Sequence, residues 1–432
     1  VAYFKGIQLY REGNYDEAKQ KFNQSLIQPV DNRTKALAYY WLGEIAHREE
    51  DFSTSTQQMN KFLAIAKNMN NLPDESSVYT ANYIQGYNYL EQEDYNGALG
   101  YFEKAATGIR EIALFISNPV VAQRIQGDAI LRSGDAYFKR NQYNQALNYY
   151  NQAVDQNHTG FVYALYQKAI IEGLNGNQTE KIIALDDLVD NHPNSEYADN
   201  ALLQLGITYL EIGKLEKSAQ PLKQILERYP NSNLRNQALL KLGLISYNQG
   251  SLEAAANYYK QIFGNNPTEK EGEAALTALE EIYVDDLAQP DVYFAFLETI
   301  PGYKVQDDEK ETINFKAATS QYQNGNYGKA IISLNNYIRL YPNGKNIIKA
   351  YFYRGDSHTA QKEYEDALRD FEKVIERGNS SYYTKALDKA AIIAFYHSEE
   401  ITGIGWLYII IEIVIVALLA FVELRVAKKL IE

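Results

Sequence analysis

A glycine that returns at the same place in a local frame constrains this chain more than any other feature. Gly6, Gly43, Gly86, Gly134, Gly206, Gly243 and Gly355 share that frame. Nine residues after five of the seven stands an aromatic ring: Tyr15, Phe52, Tyr95, Tyr143 and Tyr364. Twelve residues after five of them stands alanine: Ala18, Ala98, Ala146, Ala255 and Ala367. Sixteen residues on, the position is large and apolar every time: Phe22, Met59, Phe102, Tyr150, Leu222, Tyr259 and Phe371. A unit of this length cannot bury its apolar face alone, so successive units must stack into an array.

One unit shows the local logic. Tyr83 to Glu91 carries apolar residues at helical spacing around Gly86, and Ala98, Phe102 and Ala105 repeat at three to four beyond the turn at Glu93-Asp94. This predicts two amphipathic helices joined by a short turn. The glycine and alanines mark where the helices approach closely, and the large residue sixteen on fills the space between them.

The spacing resembles the tetratricopeptide repeat. Gly134, Tyr137, Tyr143, Ala146, Tyr150 and Ala153 fill that family's positions in order, and the closest units run from Gly6 to Ser25, Gly86 to Ala105 and Gly134 to Ala153. Pro193, Pro230, Pro267 and Pro342 stand where the family closes its second helix, because proline has no N–H to donate. Weaker units place Ala169, Ala278 and Ala318 at the glycine position. The resemblance covers residues 1–397 and implies an all-α fold, a right-handed superhelical solenoid of about ten antiparallel helix pairs.

The departures carry information too. Four of the steps between frames (6 to 43, 169 to 206, 206 to 243 and 318 to 355) are 37 residues, against about 34 in the family. Tails such as His192-Pro193-Asn194-Ser195 and Tyr229-Pro230-Asn231-Ser232 account for much of the difference and resemble those of bacterial envelope members. Longer steps place insertions near 66–78 and 107–122. The stretch 268–310, with Pro290, Pro301 and Asp307-Asp308-Glu309, reads as a degenerate repeat and a bend between arrays 1–267 and 311–397.

After His397 the pattern stops. Ile404 to Val422 is apolar apart from Gly405 and Glu412, and thirteen of its residues are Ile, Leu, Val or Phe. At about −0.3 to −0.6 kcal/mol each they outweigh a cost of about +3 kcal/mol for Glu412. The segment 404–424 therefore reads as a transmembrane helix. Arg425, Lys428 and Lys429 follow it, which puts the C-terminal side in the cytoplasm and the repeats in the periplasm on an inner-membrane anchor. The same arrangement resembles the input region of membrane sensors of the histidine-kinase type, cut after the membrane helix.

Site chemistry is sparse. The chain has no Cys, so disulfides, thiolate metal sites and a cysteine nucleophile are excluded. A net charge of −13 argues against nucleic acid as a partner. His47, His158, His192, His358 and His397 fall in different units, without the helical His–Glu spacing of a zinc site. Gly344-Lys345 is followed by Asn346, so there is no phosphate loop, and Asp186, Asp187 and Asp190 read as a solvated helix face. Nothing here points to an enzyme, a metal, a cofactor or a small-molecule substrate.

The family's ligands lie along a concave groove built from first helices, and positions three before and one after the glycine point into it. In this chain those positions, with Phe138, give the candidate protein-binding residues Tyr40, Glu44, Tyr83, Tyr87, Asp135, Phe138, Phe352 and Asp356. The family's Lys and Asn carboxylate clamp is missing from these positions, which puts tyrosines and acids in its place. Such a groove suits an extended or helical segment of another protein, because tyrosine offers broad contact at low entropy cost. The expected function is a non-enzymatic scaffold that binds proteins or peptides in a bacterial envelope assembly or secretion complex, with the membrane as its second partner.

Overall fold

A computed structural model of the chain describes residues 1–69, 72–111, 118–378 and 380–397, and the ordered elements among them are helices. The chain forms two compact units that meet in sequence at Leu234 and Arg235. The first holds six helix pairs: α1 (Ala2–Arg11) with α2 (Tyr15–Ile27), α3 (Asn32–Arg48) with α4 (Phe52–Ala66), α5 (Val78–Glu91) with α6 (Tyr95–Glu111), α7 (Pro119–Lys139) with α8 (Tyr143–Asp155), α9 (Phe161–Leu174) with α10 (Gln178–Asn191), and α11 (Ala198–Glu211) with α12 (Leu215–Arg228). The second holds α13 (Arg235–Asn248) with α14 (Leu252–Ile262), α15 (Glu269–Glu280) with α16 (Pro290–Leu297), α17 (Asp307–Gln323) with α18 (Tyr327–Leu340), and α19 (Ile347–Ala360) with α20 (Tyr364–Glu376), followed by α21 (Tyr383–His397). The segment 404–424, read from the sequence as membrane-spanning, lies outside the described residues. Among those described, no helix is long and apolar enough to cross a membrane.

Each pair is held by one wedge. The residue sixteen after the glycine lies flat against the glycine's backbone, so a Cβ there would sit between 2.5 Å (Gly86, from Phe102) and 3.1 Å (Gly43, from Met59) from the facing side chain. Phe22, Met59, Phe102, Tyr150, Leu222 and Phe371 are fully buried. The alanines twelve after the glycine are fully buried as well, which brings the second helix close to the first. Serine replaces alanine at this place twice, and each hydroxyl is bonded: Ser218 donates to the Gly206 carbonyl at 2.7 Å, and Ser55 accepts from Asn88 at 2.8 Å.

The turn inside each pair is equally regular. Seven residues after the frame position the backbone enters the left-handed region, at Gly13, Glu50, Glu93, Asn141, Gly176, Gly213, Gly250, Gly325 and Lys362. The next N–H then reaches back five residues, as from Asp94 to the Tyr89 carbonyl and from Gln142 to the Tyr137 carbonyl, which satisfies the first helix's C-terminus. Aromatic residues close the turn from outside. Tyr10 packs on Tyr15, His47 on Phe52, Phe138 on Tyr143 and Tyr322 on Tyr327, with centroids 5.5–6.1 Å apart.

The stretch 268–310 departs from this regularity. There α15 runs into a π-helical turn, Glu281–Asp286, and the left-handed residue, Ala288, arrives ten residues after Ala278 rather than seven. The widened turn is consistent with Gln289 donating its N–H back to the Tyr283 carbonyl, beyond α-helical reach. Several helix starts are fixed by side-chain caps, notably Asp31 and Asp51 and the reciprocal pairs Ser77–Thr80 and Thr268–Glu271.

The wedge gives a direct prediction. Gly86→Ala forces a Cβ into the Phe102 ring and lowers stability by about 1–3 kcal/mol. Adding Phe102→Leu, the pairing the chain itself uses at Ala169–Leu185 and Ala318–Leu334, recovers part of that loss. Urea unfolding of the two single variants and the double variant measures the coupling, and simple additivity would contradict the wedge.

Candidate protein-binding site

The first helices of the first unit carry a connected set of tyrosines and carboxylates. Asp128, Arg132 and Asp135 lie at i, i+4 and i+7 on one face of α7. Tyr83 and Tyr87, one turn apart on α5, both donate to Asp128 Oδ2, at 2.7 and 2.6 Å. Tyr150 of α8 and Tyr163 of α9 both donate to Asp135 Oδ1 at 2.7 Å. Arg132 bridges the two carboxylates, ion-paired to Asp135 and 3.5 Å from Asp128, and its guanidinium lies 5.3 Å from the Tyr163 ring centroid. Four phenols and one guanidinium thus satisfy two half-buried acids, and four helices are tied by one network.

The same device recurs on a smaller scale. Tyr10 of α1 donates to Glu44 of α3 at 3.1 Å, and Arg48 pairs with that carboxylate at 2.8 Å. In the second unit Tyr322 of α17 donates to Asp356 of α19 at 2.6 Å, and Lys389 of α21 pairs with the same acid. In both cases a tyrosine four residues after one frame position reaches the acid one residue after the next. Neighbouring first helices are stitched by a phenol–carboxylate bond, backed by a cation.

The eight residues expected on the groove therefore divide. Tyr40 and Phe352 are core residues, 3 % and 5 % exposed, and offer a partner no surface. The physical reason is packing: Tyr40 lies edge-on to Phe62, and Phe352 packs on Phe371 and Tyr382. Glu44, Tyr83, Tyr87, Asp135, Phe138 and Asp356 are half-buried and keep part of their surface in solvent. The donor capacity of the Tyr83 and Tyr87 hydroxyls is already used by Asp128, so what these rings present is contact area. The sequence reading missed Asp128, Arg132, Tyr163 and Tyr322. The 128/132/135 spacing along one helix was the available signal for the first two. It also missed a small cluster across the α19–α20 turn. His358, Glu363 and Asp366 have ligand atoms within 4.8 Å of one another, with Asp366 paired to Arg369 and the neighbouring Asp370 to Arg354.

Sequence models of known families agree with this architecture. A tetratricopeptide repeat-like domain model matches residues 146–274, and a tetratricopeptide repeat model matches 128–157. This chain is a tetratricopeptide repeat protein. A third model, of an outer membrane lipoprotein family (YfiO), matches residues 295–394 of the repeat protein. Comparison with curated proteins found no relative. Among solved structures, similarity extends to a tetratricopeptide repeat protein of Parabacteroides merdae, at 16 % identity over 72 % of this chain and 98 % of that one, with a TM-score of 0.34. It extends also to the C-terminal part of a repeat-containing protein of Cytophaga hutchinsonii (17 %, 71 % and 97 %, 0.41) and to PilW, a type IV pilus biogenesis factor (16 %, 54 % and 94 %, 0.38).

The network sets a pH dependence. Burial, then the charge of Asp128, pushes the Tyr83 and Tyr87 phenols well above their ordinary range. Burial, then Asp135, does the same to Tyr150 and Tyr163. A group raised on folding contributes stability that is full below its unfolded value and lost above it, and that value is about 10 for tyrosine. Burial also raises the Asp135 carboxyl, against Arg132 and the two phenols, so its own contribution is lost as pH rises through its folded value. The expected outcome is cooperative unfolding above pH about 10, with tyrosinate absorbance appearing together with loss of helical circular dichroism. Gradual tyrosinate formation with helicity retained would show that the network does not hold the helices.

Proposed function

We propose that this protein is a non-enzymatic scaffold that holds segments of other proteins against the first-helix face of its repeats, within a bacterial envelope assembly. The observation that carries the reading is the set of half-buried rings on this face, Tyr83 and Tyr87 held by Asp128 and Phe138 packed on Tyr143. Such rings present apolar contact area that is already ordered, so a partner avoids much of the entropy cost of binding. Repeat arrays of this kind are generally interaction scaffolds. The envelope assignment draws support from the outer membrane lipoprotein match over 295–394 and from the Pro-Asn-Ser tails after α10 and α12. The apolar segment 404–424 and the lysines and arginine after it support an inner-membrane anchor with periplasmic repeats.

Partner capture from envelope extract by the full chain tests the scaffold. Tyr83→Phe with Tyr87→Phe keeps the rings but frees them from Asp128, and weakens binding less than removing the rings does. Tyr83→Ala with Tyr87→Ala removes them and weakens binding by about 2 kcal/mol or more, as buried aromatic anchors do. Unchanged affinity in a folded Ala variant would refute the groove. Alkaline carbonate washing tests the anchor: the full chain is expected to stay with the membrane fraction, and its release would refute a spanning segment.

A further inference from the structure

A second surface on the first unit lies among the second helices. In two repeats the tyrosine three residues after the glycine stacks on a tyrosine fifteen after it. Tyr89 lies on Tyr101 and Tyr137 on Tyr149, with centroids 5.2 and 5.5 Å apart and planes within 28° and 25° of parallel. The sixth repeat keeps the first ring, Tyr209, but has Pro221 where the second belongs. A cleft of about 320 Å³ opens there. Its floor is Leu202 and Leu205, its walls are Tyr209 and Pro221, and Asp186 and Asp190 of α10 line it opposite Lys217 of α12. Neither aspartate has a hydrogen bond or ion pair among the described residues. Burial, then Asp190, raises the Asp186 carboxyl, and the charge of Asp186 adds to burial in raising Tyr209, which places the three groups together.

The surrounding charge is concentrated. Between Asp155 and Arg228, the stretch that carries both walls of the cleft, stand eleven Asp or Glu and six Lys or Arg, whereas the rest of the first unit has seventeen and fifteen. One of those lysines, Lys181, is buried and donates to Gln204 at 3.1 Å. Ile183, on the outer face of α10 between these acids, is 57 % exposed. The surface is therefore apolar at its floor, lined by the single ring of Tyr209, and carries two acids against one lysine at its mouth.

We propose that this cleft takes an arginine side chain from a segment of a partner protein. The planar guanidinium stacks on Tyr209 where a second tyrosine lies in the third and fourth repeats, its aliphatic stem covers Pro221 and the leucines, and Asp186 and Asp190 receive its N–H groups. The occupant is set by charge complementarity, and the site is separate from the first-helix face, so either reading can fail without the other.

The test uses the full chain and a short labelled peptide of Arg, Leu and Ser, read by fluorescence anisotropy. Binding is expected to saturate, to weaken with salt, and to fall about tenfold or more with Asp186→Asn and Asp190→Asn, as for close charge pairs. Pro221→Tyr refills the cleft with the missing ring, so it abolishes binding while the protein stays folded by circular dichroism. A peptide with citrulline for arginine, which keeps the shape and loses the charge, does not bind. Neutralising two acids elsewhere in the unit, Glu17→Gln with Glu93→Gln, leaves affinity unchanged. The proposal is overturned if the parent shows no saturable binding, if Pro221→Tyr binds as the parent does, or if the control acids matter as much as Asp186 and Asp190.

Discussion

The structure depends on the contact between a small residue in each first helix, glycine in seven pairs and alanine in three, and the large residue sixteen positions later in the second. This contact sets how closely the two helices approach, and so where every other side chain of the pair comes to lie. It has no slack: a single methyl group at Gly86 or Gly206 would stand 2.5–2.6 Å from the facing side chain. Interiors are packed densely enough that such a clash must move a ring or a helix. The alanines at the second approach point and the left-handed turn residue between the helices complete the same geometry from the other side. The chain varies the wedge by shape, using Phe, Tyr, Leu or Met, without changing its position.

The candidate surfaces arise where this regular frame leaves polar groups to be satisfied. Between first helices, phenols of one repeat find carboxylates of the next, and arginine or lysine balances the charge. The arrangement around Asp128, Arg132 and Asp135 makes tyrosine both mortar and surface. The hydroxyl fixes the ring, and part of the fixed ring stays in solvent. Among the second helices, one substitution of proline for tyrosine converts a filled stacking position into a cleft.

Much of the fold was legible because its signals are local and repeated. Glycine, aromatic, alanine and wedge recur at fixed offsets, and the helix pairs at Gly6, Gly86 and Gly134 follow from them. The site was legible only in part. Position relative to the glycine picked out Glu44, Tyr83, Tyr87, Asp135 and Asp356, which keep some surface, and also Tyr40 and Phe352, which are buried. Whether those two rings are wedged into the core or left at the surface depends on Phe62, Phe371 and Tyr382, which come from other helices. Asp128 and Arg132 were passed over because a helix period shows which residues share a face, and not which face of the next helix they will meet.

The sequence by itself determined the repeat, its helix pairs and the absence of thiol chemistry, because each of these follows from spacing within one unit or from composition. The tertiary structure alone decided that four phenols from three helices converge on two carboxylates of a fourth, and that a cleft opens beside Tyr209. Those outcomes are set by the rotation of one packed helix against another. That angle is fixed by the wedge contacts together, and no single stretch of sequence encodes it.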